Sequence, residues 1–464
     1  MDPIQLREEN MSRVAEQYYD KYRDQMDALN ASLLSKVKKI DSYDVYALGK
    51  QFEQFNYYKR ICEEQGNVNL LGKIPDIAYD VITAVHGASI LPVIASVQPI
   101  EEERGTIYFK QVRSGTTKGT QTAGNVVVDP RTGVVTPASY ASNLFESVTV
   151  ATSVAAQFVY SFTLTGGPVK SESLYILLGS TAVEGRDVGG GKIWGNGIAG
   201  TINYTTGAVS VTLAADPGNG VLLKATWQQN YELATDLPQI DTFFDSKGIL
   251  ARIYALKGTM GMFQAFGMSK RFGMVLEDEL AKDLVQEINR EIGGDIIRKL
   301  QAVAIGTNSF SRTAPAGVSF FEHKQTYKDE LAKAEAEIVT NAGRGAVSVL
   351  IVGKKHASVI QTLPGFQKLS DGTTLGSHVF GTLDGVTVIR VVETAIMATD
   401  AGIALWKGLT PWEAAAVYSP FMPLTVTATL PQAPNPLQSM KAAAVWAGVD
   451  TVVPQFVTNF NVVP

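Results

Sequence analysis

Apolar positions in the first part of the chain return at steps of three and four. Met11, Val14, Tyr18, Tyr22, Met26, Leu29 and Leu33 form a single stripe, the mark of an amphipathic helix. Asp2 supplies a cap and Pro3 a first helical residue, so a helix of roughly nine turns is predicted. Asp41 or Ser42 caps a second helix in which Val45, Leu48, Phe52, Phe55 and Cys62 share a face, and Gly66 stands where a stop belongs. Residues 1–73 therefore read as a helical arm, interrupted before residue 65 only by Gly49. Two readings of it stay open: a helical hairpin lying on the body, or an arm reaching a neighbouring subunit or an internal scaffold.

Ile74 to Pro99 is apolar with scattered polar positions and reads as a helix, a turn and an extended piece. Thr106 to Val112 alternates as a strand, and the residues after it are rich in Gly, Thr, Ser and Val with few helix formers. Gly200 to Leu213 is strand, tight turn, strand, and Val221 to Trp227 alternates again. A compact β-sandwich or barrel-like module over 153–231 accounts for this region. Past Asp236-Leu237-Pro238, a strand from about Gly248 to Leu256 is expected to return and pair with Thr106 to Val112 as the second side of a long hairpin.

From about Gly267 a long helix is expected, with Phe272, Leu276, Leu280, Leu284, Ile288, Ile292 and Ile296 at every fourth place. A strict step of four gains about 40° each time on a 3.6-residue turn, so the stripe winds and several sides need cover. Gly293-Gly294 is expected to kink or end this helix. Thr326–Thr340 and Lys354–Leu363 then read as helices; Val347–Val352, Val386–Val392, Ile403–Lys407 and Met440–Ala447 read as strands. Together they make an α/β unit.

Composition narrows the function. The 464 residues exceed the roughly 250 to 300 at which single cores stop growing, so two or three structural units are expected. Charged residues make up 18%, below the roughly 25% of an ordinary soluble domain, which fits a protein that hides surface against partners. The formal net charge of −5 leaves no basic footprint for gripping nucleic acid. The single cysteine, Cys62, excludes an intrachain disulfide framework and a cysteine zinc site, and points to folding in a reducing cytoplasm. No run of about 18 apolar residues is present to span a membrane, and the N-terminus lacks the pattern of a signal peptide.

No catalytic, cofactor-binding or metal residues and no cofactor are expected, because no pattern of residues in the chain supports such a site. His86, His323, His356 and His378 stand far apart, without the helical spacing of a zinc site. Gly195-Asn196-Gly197-Ile198-Ala199-Gly200 satisfies G-x-G-x-x-G, but β structure follows it instead of a phosphate-holding helix, so it reads as a loop between strands. Gly353-Lys354-Lys355 lacks the rest of a phosphate-binding loop. Glu277-Asp278-Glu279 reads as favourable charge at a helix start, with a divalent-cation site as the alternative. Glu101-Glu102-Glu103 sits at a turn, and Lys118, Lys192, Arg252, Lys270 and Arg271 are candidate partners for it on an adjacent subunit.

Four segments carry a family resemblance. Val97-Gln98-Pro99 closes an apolar stretch; Glu101-Glu102-Glu103, Gly105 and an outgoing strand follow. Glu287-Ile288-Asn289-Arg290-Glu291 lies within the long helix, and Tyr418-Ser419-Pro420-Phe421 near the C-terminus. In this order and spacing they resemble the major capsid proteins of T-even-type tailed bacteriophages, a branch of the Hong Kong 97-type capsid fold. The resemblance covers the chain apart from the arm and the β module.

It implies an α+β fold of Hong Kong 97 type with an inserted all-β module: N-terminal arm 1–73, start of the body and outgoing E-loop strand 74–152, β-rich module 153–231, return E-loop strand 232–257, spine helix 258–310 and peripheral/axial α/β region 311–464. The implied function is a structural one, not enzymatic: self-assembly into hexamers and pentamers of an icosahedral virion shell, put together in the host cytoplasm, that encloses double-stranded DNA without sequence-specific binding. Scaffold, portal and decoration proteins are the implied partners, and no membrane is involved. An encapsulin-like compartment shell is the alternative within the class. A carbohydrate-binding protein built on the β module, with Trp194, Tyr204 and Trp227, is the alternative outside it. The family's head protease favours a small apolar residue two before a glutamate, which Ile61-Cys62-Glu63 fits only loosely, and retention of the arm is expected.

Overall fold

The computed structural model describes residues 3–34, 40–64, 90–118, 122–129, 134–135, 140–179, 183–235, 237–273, 275–370, 376–408, 413–427, 429–431, 435 and 437–464. The chain divides into two compact units: Met1–Phe109 with Pro130–Gly133 and Phe244–Pro464, and Lys110–Asp129 with Val134–Phe243. The expected helix after Ile74, together with Gly66 and His86, lies outside the described residues.

In the first unit the arm is a set of helices with a core of its own. Pro3–Lys21 and Arg23–Leu34 break at Tyr22 where one helix of nine turns was expected, and Ser42–Glu64 folds back along them. Asp41 starts the last of these by accepting the backbone N–H of Asp44 at 2.8 Å. Tyr18, Tyr22, Met26, Leu29 and Leu33 meet Val45, Leu48, Phe52 and Phe55, with the Tyr22 and Phe52 rings 4.7 Å apart. Gly49 is what lets the helices approach: a Cβ there would lie 2.4 Å from the Tyr18 ring.

The body of this unit is built on two sheets and the spine helix. One sheet has seven strands, in the order Ile305–Ser311, Val457–Val463, Gly402–Leu405, Val349–Val352, Val386–Arg390, His378–Leu383 and Phe366–Lys368. Its central strands are buried on both faces and alternate cleanly. Val349, Ile351, Ile389, Ile403, Leu405 and Val457 face a core shared with spine residues Ile297 and Leu300. Leu350, Val352, Val388, Ala404, Phe460 and Val462 face a second core with Tyr327, Ile338 and Ile360. Successive side chains of a strand point to opposite faces, so one short apolar run serves two cores. The helix Phe320–Ala342 that covers the second face begins with a reciprocal cap between Ser319 and Glu322 and ends at Gly343, φ 68°.

The other sheet holds the strand Gln438–Thr451, which pairs antiparallel with Arg252–Gly261 on one side and Ala416–Val426 on the other. The expected return strand 248–256 is in fact two strands. Ile240–Leu250 neighbours the outgoing strand Arg104–Ser114 in a four-stranded sheet with Val126–Asp129 and Val134–Val135. Arg252–Gly261 takes the long C-terminal strand as its partner instead. The chain breaks register at Ala251, whose N–H donates to the carbonyl of Glu103 at 2.9 Å.

The second unit contains an eight-stranded antiparallel sheet that begins with Leu144–Thr152, ahead of the expected start at Ser153, and includes Leu222–Gln228. Phe145, Tyr160, Ile176, Ile193, Ile198, Val211, Leu223 and Trp227 make one core from strands along the whole sheet. Phe145 and Trp227, on neighbouring strands at one end of the sheet, stack within it with centroids 4.8 Å apart.

Candidate functional site: the assembly elements

The segments that carried the resemblance are brought together by the fold. Ser96 and Val97 pair in parallel with Val417 and Tyr418. The ladder continues as Gln98 N–H donates to Tyr418 O at 2.9 Å and Ile100 N–H to Pro420 O at 3.1 Å. Val97-Gln98-Pro99 and Tyr418-Ser419-Pro420 are thus one short parallel ladder, joined across more than 300 residues of chain. Proline fits here because neither Pro99 nor Pro420 is asked for an N–H. Tyr418 and Val97 pack in the same core as Ile288 of the spine helix.

The spine helix spans Leu276–Val303. It starts later than expected because Gly273, φ 66°, ends a separate helix, Met262–Phe272, with its N–H bonded to Ser269 O. Glu277, Asp278 and Glu279 fall in its first turn, where acidic side chains favour the positive helix end. Thr429 donates to the Glu277 carboxylate at 2.8 Å.

Within Glu287–Glu291, Ile288 is fully buried. Arg290 donates to Glu287 through Nε at 2.8 Å and lies 2.8 Å from Glu393. Donating to the Glu287 and Glu393 carboxylates raises the Arg290 pKa, and accepting from Arg290 lowers that of Glu287. Gly293-Gly294 does not end the helix, which runs on to Val303. The pair is a shallow place in its surface: a Cβ on Gly293 would meet Ile90 at 3.4 Å, and one on Gly294 would meet Ile396 at 2.8 Å.

The arm touches the body next to this ladder. Gln54 Nε2 donates to Ile100 O at 2.8 Å, and Lys50 stands 4.0 Å from Glu101. Of the bases considered as partners for the acidic turn, Lys118 is ruled out: it is buried, donates to Tyr140 O at 3.0 Å and Tyr231 Oη at 3.1 Å, and burial lowers its pKa. Lys192, Arg252, Lys270 and Arg271 are exposed.

The remaining sequence candidates have structural roles. Gly195 and Gly200 lie in a hairpin, Lys192–Gly195 with Ile198–Ile202, and a Cβ on Gly195 would fall 1.9 Å from Glu184 O. Gly353 precedes a helix of seven residues and passes close to the carbonyls of Ala398 and Thr399. His356 is buried against Tyr327, 2.7 Å from its hydroxyl, and burial lowers its pKa to about 3. His323 contacts Ser311 O at 2.7 Å, and His378 lies 3.1 Å from Arg390. Among the described residues no group of three His, Cys, Asp or Glu is placed to hold a metal ion, and no helix is long and apolar enough to cross a membrane.

Sequence reading missed the helix Met262–Phe272 as a separate element; Gly273 was the available signal. It also missed Gln54 and Glu393, whose partners are distant in the chain.

These elements define a structural subunit, with its common motifs spent on holding a spine helix, a ladder and a long strand pair in place. The chain belongs to the Gp23 major capsid protein family, whose model matches residues 72–456. It is accordingly a tailed-phage virion component that self-assembles into a shell, and it is not an enzyme. Among solved structures it is similar to the capsid of Myoviridae phage XM1, at 9% identity and a TM-score of 0.33 over 68% of this chain and 90% of that one. Another is Gordonia phage Cozz, at 13% identity and a TM-score of 0.34 over 51% of this chain and 77% of that one. A third is a virus-like particle from Pyrococcus furiosus, at 9% identity and a TM-score of 0.30 over 47% and 79%. Among curated proteins, none matches the chain.

Proposed function

We propose that this protein forms the hexamers and pentamers of an icosahedral, Hong Kong 97-type head enclosing packaged double-stranded DNA, assembled in the host cytoplasm with scaffold, portal and decoration partners. The family match over residues 72–456 carries this reading. In it, residues 1–73 are the arm and 74–152 open the body and lead into the E-loop. Residues 153–231, together with the strand Leu144–Thr152 that joins their sheet, are the inserted module, 232–257 bring the loop back, 258–310 hold the spine and 311–464 form the peripheral and axial region. The paired strands Arg104–Ser114 and Ile240–Leu250 are the two sides of the E-loop. A net charge of −5 fits a wall that encloses DNA and releases it.

Electron microscopy of the protein, expressed alone and with its neighbouring gene products, tests this. Closed shells or tubes with hexameric tiles are the expected result. Monodisperse small species under every condition would overturn it.

A further inference from the structure

The helix Met262–Phe272 has no buried residue, although it carries three phenylalanines. Met262, Phe263 and Phe266 are 54, 74 and 65% exposed. Positions three and four apart are neighbours on a helix, so Phe263, Phe266, Gly267 and Lys270 form one contiguous face, with Lys270 Nζ 5.9 Å from the Phe266 ring centre. An isolated helix of 11 residues is marginal in water, and aromatic residues and glycine are poor helix formers. Among the described residues no packing buries a side chain of this helix in return.

Gly267 sharpens the point. Every other described glycine inside a helix has a neighbouring side chain within 4 Å of the place a Cβ would occupy: Gly49 has Tyr18, Gly293 has Ile90 and Gly294 has Ile396. Gly267 alone has nothing within 4 Å of the place a Cβ would occupy. It is a notch beside two exposed rings, open to whatever approaches from outside. The end of the helix is basic through Lys270 and Arg271, and neither forms an ion pair among the described residues. The same unit displays Glu102 and Glu103, exposed and also without an ion pair among the described residues, just after the Val97–Pro99 ladder. Among the described residues Glu101 beside them is paired with Lys50 alone, at 4.0 Å. A ring or shell of identical subunits needs two different complementary faces on each copy.

We infer that the Phe263/Phe266/Gly267/Lys270 face is a subunit contact, covered in the shell by a second copy of this chain seated beside its acidic turn. Phe263 and Phe266 lose water against that copy, Gly267 admits its chain, and Lys270 and Arg271 face Glu102 and Glu103. The two phenylalanines of this face, exposed to this extent, offer on the order of 300 Å² of apolar surface, about a third of one partner's share in a standard interface. This inference rests on the shell reading.

The test uses the full chain. Gly267→Leu fills a space that is empty in the isolated subunit, so its unfolding midpoint should equal or exceed that of the unaltered protein. The concentration needed for assembly, read by sedimentation and electron microscopy, should rise at least about tenfold. Lys270→Glu with Arg271→Glu should weaken assembly, and adding Glu102→Lys with Glu103→Lys should restore it. Gly267→Leu shells forming at the ordinary concentration, or loss of fold in the isolated Gly267→Leu subunit, would overturn the docking face. Charge reversal without restoration would overturn the acidic turn as its partner. If the unaltered protein forms shells and the variants behave as it does, only this inference falls; if it forms none even with its neighbouring gene products, the shell reading falls as well.

Discussion

Adjacent glycines in the spine helix are expected to respond differently to the same substitution. Gly293 and Gly294 both lie in the helix interior, where glycine is worse than alanine by about 1 kcal/mol. At Gly293 a new Cβ would stand 3.4 Å from Ile90 Cδ1, an ordinary contact, so Gly293→Ala should keep that gain of about 1 kcal/mol. At Gly294 the Cβ would stand 2.8 Å from Ile396 Cδ1 and 3.3 Å from its Cγ1. Ile396 is itself buried in the main core, and forcing an extra carbon into such packing costs about 1–3 kcal/mol. Gly294→Ala should therefore range from neutral to about 2 kcal/mol less stable. Urea unfolding of the purified subunit, followed by far-UV circular dichroism, separates the two: the midpoint rises for the first and stays or falls for the second, at constant slope. A midpoint for Gly294→Ala at or above that of Gly293→Ala would refute the reasoning, because Ile396 would then be yielding at no cost.

Three further predictions concern other parts of the chain. Gly49→Ala places a Cβ 2.4 Å from the Tyr18 ring, so the arm helices should separate and limited proteolysis within residues 3–64 should speed up while the body remains resistant. Trp227→Ala removes a fully buried indole stacked on Phe145 and should cost about 3–5 kcal/mol, read as lost hydrogen-exchange protection in the strands of the β module with the spine helix unaffected. His356 stays neutral in the fold down to about pH 3, whereas the unfolded chain takes up its proton near the ordinary value of about 6.5. The unfolded state thus binds more protons between those limits, and stability falls with acidification there by up to about 1.4 kcal/mol per pH unit. His356→Gln should flatten that part of the stability curve, and an unchanged slope would contradict the assignment.

Local pattern determined much of this protein by itself. The stripe from Tyr18 to Leu33 and its complement from Val45 to Phe55 specified two apolar faces that needed cover, and the helix expected over Thr326–Thr340 lies within Phe320–Ala342. The apolar run at Val349–Val352 announced a strand buried on both sides. Such signals are legible because helix and strand periods act over a few residues. The order of the four family segments, likewise, was already present in the sequence.

What lay beyond it depended on partners distant in the chain. Nothing local says that Ser96–Val97 lies beside Val417–Tyr418, that Arg252–Gly261 pairs with the C-terminal strand, or that Lys118 is buried under Tyr140 and Tyr231. Gly293-Gly294 has the composition of a helix break, yet the helix continues because Ile90 and Ile396 fill the space its missing side chains leave. Gly273, a single residue in the left-handed region, decides instead where one helix stops and the next begins. Sequence fixes what each segment can bury; only the assembled chain decides which surface takes up the offer, since packing free energy belongs to pairs of segments and not to either one.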